Sequence, residues 1–166
     1  MQMPELAFFV LTLPFALWAA WTDMRDMKIR NWMNLSLFGV FLVSGLLLLP
    51  FQDYLLRIGI ALIALIIGFV LNMTKHLGGG DAKFIAAFIP FIAPANLSLL
   101  LMVMAMCLLA SVVVHRIARR IPAITGLAPH WVSWTRKSYF PMGLGLGPGF
   151  SLTLAAGAFN LIVGQG

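Results

Sequence analysis

Six blocks of nearly uncharged apolar sequence, each bounded by polar or basic residues, constrain this chain more than any other feature. They run Leu6–Trp21, Leu35–Phe51, Leu55–Met73, Ala82–Pro94, Leu97–Val114 and Leu144–Val163. A helix needs about 20 apolar residues to cross a hydrocarbon core of ~30 Å, and most of the blocks approach that length. Charged residues make up 10% of the chain and hydrophobic ones 61%, whereas a soluble domain carries roughly 25% charge. The expected fold is therefore all-α: one polytopic transmembrane bundle of about six spans over residues 1–166, with no separate soluble domain. The fourth block is the weakest of the six. As a helix its 13 residues rise only ~20 Å, and Pro90 can kink it. It reaches across only if its helix begins before Asp81 or if tilted neighbours thin the bilayer. The first block reads as a retained span, because the leading charge is Glu5 and Trp18 and Trp21 disfavour a small-residue cleavage site.

Orientation follows from the basic residues. Arg25, Lys28, Arg30, Lys75, Lys83, Arg116, Arg119, Arg120, Arg136 and Lys137 fall in loops on one side of a six-span chain, ten of the eleven Lys and Arg. Those loops are predicted to be cytoplasmic, with both termini external. Arg57 falls opposite, where its stem can snorkel outward, and Glu5 and Asp53 read as ordinary external charges. The net charge of +6 expresses this loop bias, not nucleic-acid binding. In the long loop His115–Phe140, Trp131, Trp134 and Tyr139 are expected at the headgroup level.

Chemistry has few carriers. Cys107 stands alone in an apolar run, so it forms no internal disulfide or Cys-based metal site and reads as a small buried packing residue. His76, His115 and His130 lack ligand spacing and read as interfacial. No metal or cofactor is expected. Of the five acidic residues, Asp23, Asp26 and Asp81 share the predicted cytoplasmic face. Asp81 follows Gly78-Gly79-Gly80, which lacks the ending of a phosphate-binding loop. The run reads as a break in which glycine ends one helix and Asp81 begins the next. A cap needs one glycine; three permit left-handed backbone or close approach of another chain.

Gly78-Gly79-Gly80-Asp81-Ala82-Lys83 resembles the GxGD-x-K motif of the type IV prepilin peptidases, which are intramembrane aspartic proteases. The segment from Asp23 to Asn31 resembles that family's D-x-R-x-x-x-I-P-N pattern, matching at Asp23, Arg25, Ile29 and Asn31 with Arg30 in place of proline. Phe140-Pro141-Met142-Gly143 resembles the Pro-x-Gly segment leading into the last span. The short chain is similar to the peptidases of Flp/Tad-type pilus systems. Larger relatives carry a cytoplasmic domain with paired cysteines, absent here, so no methyltransferase activity is assigned.

The resemblance implies an aspartic endopeptidase of the bacterial inner membrane, cleaving the basic leader from prepilin-like proteins at the cytoplasmic face. Asp23 and Asp81 would be catalytic, with Gly78, Gly79, Gly80, Lys83, Arg25 and Asn31 binding substrate or supporting the motifs. Two neighbouring carboxylates that share a proton supply both a base and an acid. Asp26, three residues from Asp23, matches no catalytic position. Lys83 lies ~200° around a helix from Asp81 and either meets a substrate acid or anchors the helix end. The expected partners are a pilin-like substrate with an apolar N-terminal helix and membrane lipid. A non-catalytic scaffold of a pilus or secretion assembly, or a transporter subunit, is the competing reading. The nearly unbroken apolar middles of the second, third and fifth spans disfavour transport.

Overall fold

A computed structural model describes residues 4–136 and 140–163, with side chains through Phe159. Lys137 and Tyr139, assigned above to the long loop, lie outside the described residues. The chain forms α1 (Pro4–Asp26), α2 (Asn31–Leu48), α3 (Phe51–Met73), α4 (Gly79–Phe88), α5 (Leu97–Ala118), the short α6 (Pro122–Leu127) and α7 (Val132–Thr135), and α8 (Gly143–Val163). Among the described residues, four helical segments are long and apolar enough to cross a membrane: α1, α2, α3 and Pro94–Ala118, which contains α5. Gly143–Phe159 of α8 adds a shorter apolar helix. The protein is a polytopic helical membrane protein.

The fourth block departs from a regular span. Its helix starts at Gly79, ahead of Asp81, and stops after ten residues, a rise of ~15 Å. Pro90 has no N–H to continue the ladder, and the chain turns through two 3-10 segments, Ile89–Phe91 and Pro94–Asn96. A helix that ends inside apolar surroundings leaves carbonyls that water cannot reach. Arg57 of α3 supplies the donors. Its guanidinium donates to the carbonyls of Pro90 at 3.4 Å and Phe91 at 3.2 Å and lies 5.9 Å from the ring centre of Phe8. Arg57 is 6% exposed, so the expectation that it snorkels outward is wrong. Its position near a helix end identifies its depth, not its facing. Glu5 is corrected for the same reason. It is buried, accepts a hydrogen bond from Asn96 Nδ2 at 3.2 Å, and fills space that a side chain at Gly157 would need.

The core is largely aromatic. Phe8, Phe41, Phe84, Phe88, Phe91 and Phe150 are fully buried; Phe88 stacks on Phe150 at 4.5 Å and most of the other pairs meet edge to face. Lipid is as apolar as these side chains, so helix association in a membrane depends on close packing and polar contacts. The glycines of α8 provide that closeness on two faces. A Cβ at Gly147 would lie 2.7 Å from the carbonyl oxygen of Ala16 in α1, and one at Gly145 2.7 Å from Leu108 of α5. Pro148 inside α8 cannot bond the carbonyl of Leu144, and Ser111 of α5 donates to that oxygen at 3.2 Å. Cys107, expected to be buried, is only half-buried on α5.

Arg57→Met keeps the stem but strands the carbonyls of Pro90 and Phe91. It should destabilise the protein by about 3 kcal/mol in denaturant unfolding from detergent micelles, with Arg57→Lys losing less. Wild-type stability in Arg57→Met would show that the guanidinium is not needed to close α4.

Candidate active site

Asp23 and Asp81 reach one place from two helix ends. Asp23 sits in the last turn of α1, whose chain reverses at Met27 in a left-handed conformation with φ 55°. Residue 30 then precedes α2 with φ −77°, inside the range that a proline ring imposes. The arginine that stands there thus leaves the turn as proline would shape it. Asp81 lies in the first turn of α4, third after the capping position Gly78. From there its carboxylate folds back over Gly78, where a side chain would collide with it, much as an acidic third residue turns back in a capping box. Asp81 is therefore not the cap itself.

The glycine run works by closeness. No described glycine has a positive φ; the left-handed residue that ends α3 is Lys75, at φ 61°. A Cβ on Gly80 would stand 3.1 Å from the Ile29 carbonyl oxygen, so the turn after α1 packs directly onto the turn before α4. Asn34 strengthens this junction by donating to the Gly80 carbonyl at 3.4 Å. Asn72 donates to Leu77 at 2.9 Å and holds the turn from the α3 side.

Two open cavities meet at the aspartates. One, about 620 Å³, is lined by Asp23, residues 27–32 and residues 78–81. The other, about 840 Å³, is also lined by both aspartates, together with residues of α3, α5 and the segment before α8, among them Asn72, Val112, Arg136, Phe140 and Met142. The long loop thus walls a cavity. Its aromatic residues are also more than headgroup markers. Trp134 stacks on His115 at 5.3 Å and on Trp131 at 5.8 Å, and Trp131 meets Trp21 edge-on. His115, expected to be interfacial, is 3% exposed beneath them, whereas His76 and His130 are exposed.

The carboxyl groups differ in their surroundings. Asp23 is 5% exposed and accepts the Gly143 backbone N–H at 2.7 Å. Gly143 is the first residue of α8, so Asp23 meets the positive end of that helix. Burial, and after it the negative charge of Asp23, push the Asp81 carboxyl up to about 7. Asp26 is engaged elsewhere, in a two-point pair with Arg25 at 3.0 and 2.9 Å. Arg25 accordingly turns to Asp26 and lines neither cavity. Lys83 donates to Asn31 at 2.9 Å, on the far side of its helix from Asp81. Sequence reasoning had named neither Gly143, Asn34 nor Asn72 as a site residue. Gly143 was signalled by the Pro-x-Gly segment. Asn34 and Asn72 were signalled only by being amides at the ends of apolar spans.

The sequence model of the type IV leader peptidase family matches residues 10–115, which include both aspartate motifs. The chain belongs to that family, whose members process prepilin leaders. No curated protein and no solved structure matches the chain.

A Cβ at Gly143 would stand 2.9 Å from Asp23 Cβ and 3.1 Å from the Ala19 carbonyl oxygen. Gly143→Ala should therefore lower stability by about 1–3 kcal/mol through overpacking, read by thermal unfolding in detergent. An unchanged melting temperature would show that α8 can shift away from α1 without loss.

Proposed function

We propose that Asp23 and Asp81 are the catalytic pair of an endopeptidase that removes the basic leader from pilin-like precursors at the cytoplasmic face of the bacterial inner membrane. The observation that carries this reading is the delivery of two poorly solvated carboxyl groups to one shared cavity, where burial and the neighbouring carboxylate push Asp81 up to about 7. The bias of basic loops towards the same end of the bundle supports the cytoplasmic side.

The surroundings divide the roles. An amide donor holds a carboxylate better than a carboxylic acid, so the shared proton resides on Asp81 and Asp23 is the base. Asp23 takes a proton from a water whose oxygen attacks the scissile carbonyl carbon. Asp81 gives its proton to the departing nitrogen as the C–N bond breaks. Transfer of the proton from Asp23 back to Asp81 restores the pair. The open cavity beside Asp81 leaves room for an extended peptide, and the basic leader departs on the polar side.

Asp23→Asn and Asp81→Asn should each cut conversion of precursor to mature pilin by at least about 100-fold while the protein still accumulates in membranes. The double variant should be no worse than either single one, since the pair acts as a unit. Asp26→Asn should stay active. Near wild-type cleavage by Asp81→Asn would end the aspartic peptidase reading and leave the scaffold.

The pH dependence has a definite sign. Below about 7 Asp81 carries the proton that the leaving nitrogen needs; above it both groups are charged and the donor is lost. Initial cleavage rates in detergent should therefore fall as pH rises from 7 to 9. A flat or rising profile would contradict Asp81 as proton donor.

A further inference from the structure

We propose that a groove between α2, α3 and α4 seats the start of the substrate's apolar helix, the part that follows the cleaved bond. The inference rests on the peptidase reading and adds where the substrate lies. The groove has a volume of about 410 Å³, enough for one face of a helix and not a whole one. Leu35 and Phe38 of α2 and Leu62 and Leu65 of α3 form its walls, and Ala86 and Ala87 of α4 its floor. Small floor residues let a second helix approach closely, which is how helices associate within a membrane.

Continuity with the aspartate cavity gives the groove its direction. Asn31 lines both spaces, so a chain leaving the aspartates can enter the groove without crossing another helix. The polar residues of the groove, Asn31, Asn34 and Lys83, gather at this junction, in the first turn of α2 and the second turn of α4. Lys83 is the one charged residue of the lining and is held by Asn31. Asn34 is 5% exposed, and its Oδ1 has no hydrogen-bond partner among the described residues. A helix N-terminus carries about four backbone N–H groups without partners inside the helix. A substrate helix that begins at this junction brings donors to the place where an acceptor lacks one. A lipid chain fills the same apolar walls but has no donor to offer Asn34.

The test uses a co-expressed pilin precursor, with a short basic leader ahead of an apolar helix, that the wild-type chain cleaves. A photo-reactive amino acid is placed singly at Leu35 and Leu65 in the groove, and at the exposed Ile63 and Leu101 outside it, in the Asp23→Asn background. Leu35 and Leu65 should each yield precursor adducts at least about tenfold above Ile63 and Leu101. In the active enzyme, Leu65→Trp should raise KM about tenfold with kcat little changed, the pattern of lost binding, while Ile63→Trp should change neither. Equal adducts at all four positions, adducts with lipid alone at Leu35 and Leu65, or an unaltered KM in Leu65→Trp would overturn the groove while leaving the peptidase intact. If the wild-type chain cleaves no such precursor, the peptidase reading falls first and the groove falls with it.

Discussion

The Gly143 amide lies 2.7 Å from Asp23 Oδ2, and it can stand there because α8 has no side chain to keep α1 away. Gly143 and Gly147, one turn apart, leave that face of α8 bare, while Gly145 and Gly149 do the same towards α5. In lipid no hydrophobic force pulls helices together, so this shape match decides which helices touch. Asp23 gains a hydrogen bond and the positive end of a helix where water is scarce, which a carboxylate on an apolar helix requires. The cavity inherits its shape from the same contact, because Met142 leads into α8 and lines the space beside the aspartates.

A second device, at the far end of α4, sets the position of Asp81. A full-length fourth span would have satisfied its own backbone. The broken one needs the guanidinium of Arg57 at its carbonyls, and Arg57 in turn needs the carbonyls, because an unpaired cation in an apolar core costs several kcal/mol. This mutual need locks α4 against α3, where Gly68 meets Ala82 without room for another carbon. The two proposed catalytic residues are therefore held by different means. One is fixed by helix-to-helix closeness, the other by a capped half-length helix.

The Gly143 N–H on Asp23, and the charge of Asp23 beside Asp81, separate the two carboxyl groups chemically. The structure around them is built from turns, not from the rigid middles of spans, and those turns are tied by single amides: Asn34 to Gly80 and Asn72 to Leu77. Such joints hold a loop in place while leaving one side open, the side that the proposed peptide entry needs.

Much of this is legible in the sequence alone. Apolar block length determined the helical membrane fold, and the residues around Asp23 and Asp81 carried the family. Hydropathy could not tell which way a polar residue in an apolar helix faces, and so Arg57 and Glu5 were misread: each lies near a helix end and turns inwards, as His115 also does. The glycines before Asp81 were read partly as backbone freedom, yet Gly80 serves closeness, because the partner that crowds it, Ile29, comes from another part of the chain. The end of the fourth helix was marked by Pro90, but its closure by Arg57 is a contact across 33 residues that no local pattern records. The sequence by itself determined the number and order of apolar segments, since those depend on side-chain transfer into lipid residue by residue. Only the tertiary structure decided which polar groups share a cavity, since that depends on how closely particular backbones can approach.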